Sequence, residues 1–144
     1  MAITVPHSLI ALVFYALWVI VLVLMIGFDR VTQVLRGQTP VNGFPSGQKH
    51  GSDSYWRINR AHINACENLP IFAAIVLAGW AVSQEGAQFN LLATVVVVAR
   101  IIQSAIHISS GSTMAVNLRF TAFAVQLVCE IWMAVLVLQT AGVL

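Results

Sequence analysis

The sequence predicts an all-α integral membrane protein built as an up-down four-helix bundle. Three observations carry that prediction. Only 8% of the 144 residues are charged, about a third of the ~25% usual in soluble domains. Hydrophobic residues make up 59% and the mean hydropathy is +0.87. The apolar residues gather into four runs, each long enough to cross a ~30 Å hydrocarbon core as a helix. This composition excludes a disordered chain, a nucleic-acid binder with a basic face and a water-soluble globule.

The first run, Ser8 to Phe28, carries no charge over 21 residues. No Lys or Arg precedes it and no Ala-x-Ala site follows, so it reads as a membrane helix rather than a cleavable signal. Asp29 and Arg30 mark its boundary, and the helix is expected over 8–36. A polar loop follows over 37–56, rich in glycine and proline. The second helix is expected over 57–83 and contains Glu67. The third, over 89–109, contains Arg100, and the fourth, over 119–141, contains Glu130. Short connectors after the second and third helices force antiparallel neighbours. Residues 1–144 thus read as one membrane domain.

The charges choose an orientation. Arg30, Arg36, Lys49, Arg57 and Arg60 lie in or beside the long loop, and Arg119 borders the third connector. The opposite side carries no Lys or Arg. That asymmetry predicts a cytoplasmic long loop and two non-cytoplasmic termini, in a bacterial-type inner membrane. Cys66 and Cys129 both stand in apolar stretches. No metal-ligand spacing occurs, so no metal is expected.

Charges inside a bilayer cost at least ~2.5–3.5 kcal/mol each, so they persist where paired or useful. Glu67, Arg100 and Glu130 lie at similar depth, and Arg100 is expected to be neutralised by Glu67, with Glu130 as second partner or rival. Arg57, Arg60, Asn64 and Glu67 are spaced 3, 4, 3, as on one face of a helix. Arg100, Gln103 and His107 make a similar stripe on the third helix, and Arg119, Gln126 and Glu130 another on the fourth. Each single amide has a plainer reading as interhelical glue. Two guanidiniums, an amide and a carboxylate together describe a site for a ligand carrying both signs of charge.

The run Arg57-Ile-Asn-Arg60-Ala-His62-Ile-Asn64-Ala-Cys66-Glu67-Asn68-Leu-Pro70-Ile-Phe72 resembles the helix 2 signature of the MAPEG family. Those are the membrane-associated proteins in eicosanoid and glutathione metabolism. The resemblance implies a homotrimer of four-helix subunits, with glutathione as co-substrate between neighbours and an apolar electrophile or lipid entering from the bilayer. It implies glutathione contacts from Arg60, Asn64 and Glu67, with His62 beside them, and from Arg100, which matches a helix 3 arginine. Arg119, opening the fourth helix, looks like the arginine that stabilises the glutathione thiolate. Asn59, Gln103 and His107 depart from residues common in the family, and Glu130 belongs to no family motif.

The chemistry of glutathione suits these residues. Arg57 and Arg60 can fork onto its carboxylates, Glu67 can accept from its ammonium, and Asn64 can bond a peptide group. A thiol starts from a pKa near ~8.5, and lowering it by ~2 units needs ~2.7 kcal/mol. A guanidinium at Arg119, reinforced by a helix N-terminus, is expected to supply that, with His107 as a second catalytic group. The reading is a membrane-bound glutathione-dependent transferase or peroxidase. Two others stand beside it: a non-catalytic accessory or structural subunit of the same family, and a small transporter relaying protons through Glu67, Arg100 and Glu130.

Overall fold

The computed structural model describes residues 5–45 and 47–144. Its helices are α1 (His7–Leu35), α2 (Asp53–Ala81), α3 (Ala87–Ser109) and α4 (Thr113–Thr140). The shortest, α3, has 23 residues and rises ~35 Å, enough to cross a bilayer. All four are also apolar enough to do so, which makes the chain a multi-pass integral membrane protein.

Two helices start earlier than hydropathy suggests, for the same reason. The Ser52 hydroxyl accepts from the Tyr55 amide at 3.1 Å, so α2 begins at Asp53 rather than 57. The Ser112 hydroxyl accepts from the Ala115 amide at 3.2 Å, so α4 begins at Thr113 rather than 119. A capping serine satisfies one of the amides that a helix start leaves unpaired. The apolar pattern reports where the membrane begins, whereas the cap reports where the helix begins.

α3 is the central element, packing against α1, α2 and α4. α1 packs against α2 and α3, α4 packs against α3 and α2, and among the described residues the α1 and α4 backbones do not come into close approach. Tyr15, Phe72, Val76, Phe89, Val96 and Met133 form the buried apolar centre. Gly79 permits the close α2–α3 approach: a Cβ there would lie 2.6 Å from the Phe89 ring. Outward faces expose Leu24, Val128 and Ile131, the residues a lipid-facing surface needs.

Each end of the bundle has its own ties. At the end carrying the termini, the Ser8 amide donates to Asn90 Oδ1 at 2.9 Å. At the other end, Arg30 Nε donates to the Tyr55 hydroxyl at 2.7 Å and its guanidinium lies 5.2 Å from the Phe44 ring centre. Those contacts fold the long loop back onto α1 and α2.

Candidate functional site between α2, α3 and α4

The four polar residues of α2 do not share one face. A three-residue step falls about 60° short of a full turn, whereas a seven-residue step falls only about 20° short. Arg57 and Asn64, seven apart, therefore point together toward α3. Arg57 Nε donates to the Ile108 carbonyl at 3.0 Å, and Asn64 Oδ1 accepts from Arg100 Nη1 at 2.6 Å. Arg60 and Glu67, also seven apart, form a second line that is exposed in the single subunit.

That offset overturns the expected Glu67–Arg100 pair. Glu67 is exposed and makes no ion pair with Arg100, which takes the Asn64 amide oxygen instead. Among the described residues the one ion pair is Lys49–Asp53, at 2.7 Å in the exposed loop region, where such pairs contribute little.

Arg100 is 1% exposed and organises a buried polar layer. Its Nη1 also donates to Gln103 Oε1 at 2.7 Å, and that oxygen accepts from Gln126 Nε2 at 3.2 Å. The layer thereby joins α2, α3 and α4. α1 closes it with Tyr15, whose ring centre lies 5.6 Å from the guanidinium and whose hydroxyl donates to the Ala65 carbonyl at 3.2 Å. Sequence reading passes over Tyr15 because its run carries no charge. The available signal is that a buried tyrosine hydroxyl needs a partner. Glu130 joins the layer at 3% exposed, with no ion pair to Arg100 within 4.0 Å.

Toward the long-loop end the polar residues continue beyond the layer. His107 is half-buried in the last turn of α3, and the charges of Arg57, Arg60 and Arg119 all bear on it. Two guanidiniums on α2 and one on α4 thus lie within electrostatic reach of one imidazole on α3. Arg119 does not open its helix: with the N-cap at Ser112 it lies in the second turn. The helix dipole falls off within the first turn, so any pull of Arg119 on an anion comes from its own charge.

His62 is not brought to this group. Two residues beyond Arg60, it stands about 160° away around α2. There its Nε2 lies 3.3 Å from Cys66 Sγ, one turn along the same helix. Both cysteines are free.

This end of the bundle can therefore offer an anionic ligand three guanidiniums, with the Asn64 amide nitrogen as a neutral donor. Arg60 and Glu67 extend this group onto the outer face of α2. No curated protein matches the sequence. The family model of the MAPEG family, membrane proteins of eicosanoid and glutathione metabolism, matches residues 8–139, nearly the whole length. With four membrane-crossing helices and the helix 2 residues in place, the chain belongs to the MAPEG family.

Proposed function

We propose that the protein is a glutathione-dependent transferase or peroxidase acting on apolar electrophiles or lipid hydroperoxides. The observation that carries this reading is the gathering of Arg57, Arg60, His107 and Arg119 at the long-loop ends of α2, α3 and α4, where the three cations bear on one imidazole. In this reading Arg57 and Arg60 take the glutathione carboxylates, Glu67 accepts from its ammonium, and Asn64 offers its amide hydrogens to a peptide carbonyl. Arg119 stabilises the thiolate and His107 donates beside it. Arg100, buried and bonded to Asn64 Oδ1, acts by holding that amide rather than by touching glutathione.

The exposure of Arg60 and Glu67 supports a homotrimer. Both lie in a membrane-crossing helix, and lipid satisfies neither a guanidinium nor a carboxylate. A neighbouring subunit that covers this line, with glutathione between the two, removes the conflict. The cation asymmetry supports a cytoplasmic long loop, and with it a glutathione site near the cytoplasmic side.

Calorimetry of glutathione binding to detergent-purified protein, with ultraviolet detection of bound thiolate, tests the activity. Binding with a thiolate band and turnover of a general electrophile is the expected result. Binding with neither would put a non-catalytic accessory subunit in place of the enzyme. The orientation predicts that cysteines placed at Gln48 and Glu85 label from opposite sides, Gln48 from the cytoplasm. Labelling of both from one side would sink the topology.

A further inference from the structure

Between α3 and α4 the polar layer contains donors and acceptors that the protein itself leaves unpaired. Arg100 Nε and Nη2, Gln126 Oε1 and Glu130 Oε1 are buried without a hydrogen-bond partner among the described residues. The three side chains are 1%, 1% and 3% exposed. The orientation of Gln126 is settled by its bonds: its nitrogen donates to Gln103 Oε1 and to the Ala122 carbonyl, so its oxygen is the free end. Arg100 and Glu130 are near enough for their charges to interact, yet more than 4.0 Å separates guanidinium nitrogen from carboxylate oxygen.

We propose that Arg100, Gln126 and Glu130 together form a binding site for water in the middle of the bundle, and that Glu130 acts through it as a positioning residue for Arg100. Arg100 offers three N–H groups on Nε and Nη2, and Gln126 and Glu130 offer one oxygen each. One water, accepting two hydrogen bonds and donating two, serves four of these five groups. A water that accepts from the guanidinium and donates to the two oxygens has the two to four polar partners that hold a buried water. Two hydrogen bonds of ~2.8 Å through one water oxygen span up to ~5.6 Å, a reach that extends past the 4.0 Å limit of a direct ion pair. The bridge draws Nε and Nη2 toward α4. Nη1 is then left aimed at Asn64 Oδ1 and Gln103 Oε1, which turns the Asn64 amide nitrogen away from Arg100. The water site stands on these contacts alone, and its consequence for Asn64 as a glutathione contact rests on the function proposed above.

Water-edited solid-state NMR on protein labelled with ¹⁵N-arginine, in lipid bilayers, tests it. Arg100 is assigned by the loss of its signals in Arg100→Lys, and the exposed Arg36 serves as internal reference. Guanidinium signals of Arg100 are expected to gain magnetisation from water in the wild type. The gain should persist in Glu130→Gln, which keeps an acceptor oxygen, and fall severalfold in Glu130→Leu. No transfer to Arg100 in the wild type overturns the site, as does transfer unchanged in Glu130→Leu. If Glu130→Leu does not fold, the wild type and Glu130→Gln decide alone: loss of transfer in the glutamine variant also counts against the site. Glutathione affinity measured on the same samples should weaken in Glu130→Leu and not in Glu130→Gln. Failure of the wild type to bind glutathione removes the functional reading and leaves the NMR result standing.

Discussion

Replacing Arg119 with alanine is expected to lower turnover of the glutathione reaction by about a hundredfold or more, while glutathione affinity changes only a few fold. The magnitude is that of removing one group aimed at developing charge, ~10²–10³ in rate. The asymmetry follows from where charge appears. The carboxylates of glutathione are present before and during reaction, so residues that hold them affect binding in both states. The sulfur is an anion only once the thiol has lost its proton, and an interaction with that anion stabilises the activated state selectively. Arg60→Ala and Glu67→Gln should behave differently and raise the glutathione concentration required, by ~1.5–3 kcal/mol of lost charged hydrogen bonding. Because Arg119 stands in the second turn of α4, the helix N-terminus gives it no assistance. Its guanidinium carries the effect alone, so Arg119→Lys, which keeps the charge, should recover part of the rate. Steady-state kcat and KM with a general electrophile, read beside the thiolate band, separate the cases. A loss confined to KM in Arg119→Ala would remove its catalytic role.

The four helices were legible because membrane hydropathy is a strong, local signal, and apolar runs of this length have few other uses. Their starts were less legible. Ser52 and Ser112 each set a helix boundary through one hydroxyl, and neither changes the hydropathy pattern. Within the site, residue types were readable and partners were not. Equal depth along three helices allowed Arg100 to meet Glu67 or Glu130, and spacing of 3 and 4 made Arg60, Asn64 and Glu67 look collinear. Only the angular offset between the lines Arg57/Asn64 and Arg60/Glu67 decides that Asn64 reaches Arg100. That offset depends on which side of α2 packs, and Ala61, Ala65, Asn68 and Phe72 determine it by being buried. His62 sits inside the family signature and still faces another way, since membership of a motif says nothing of direction around a helix. Tyr15 is a tertiary feature altogether: its partners, Ala65 and Arg100, come from two other helices.

Arg100→Leu is expected to destabilise the protein by about 3–5 kcal/mol, the scale of leaving a buried charge uncompensated. The loss has two sources. Asn64 Oδ1 loses its donor, and Gln103 Oε1 keeps only the Gln126 contact. Glu130, 3% exposed, is left in the core with no cation facing it. Adding Glu130→Leu removes the second source and should recover part of the loss, giving a coupling of at least ~1 kcal/mol in the double-mutant cycle. Glu67 supplies the control. It is exposed and makes no ion pair with Arg100, so the cycle of Arg100→Leu with Glu67→Leu should be additive within ~0.5 kcal/mol. Reversible unfolding in mixed micelles measures all the variants on one scale. A buried charge is stabilised by whichever opposite charge shares its low-dielectric surroundings, even at a separation that leaves room for water. Coupling to Glu67 with additivity at Glu130 would mean that Arg100 turns toward the outer face of α2, and the buried layer would have to be redrawn.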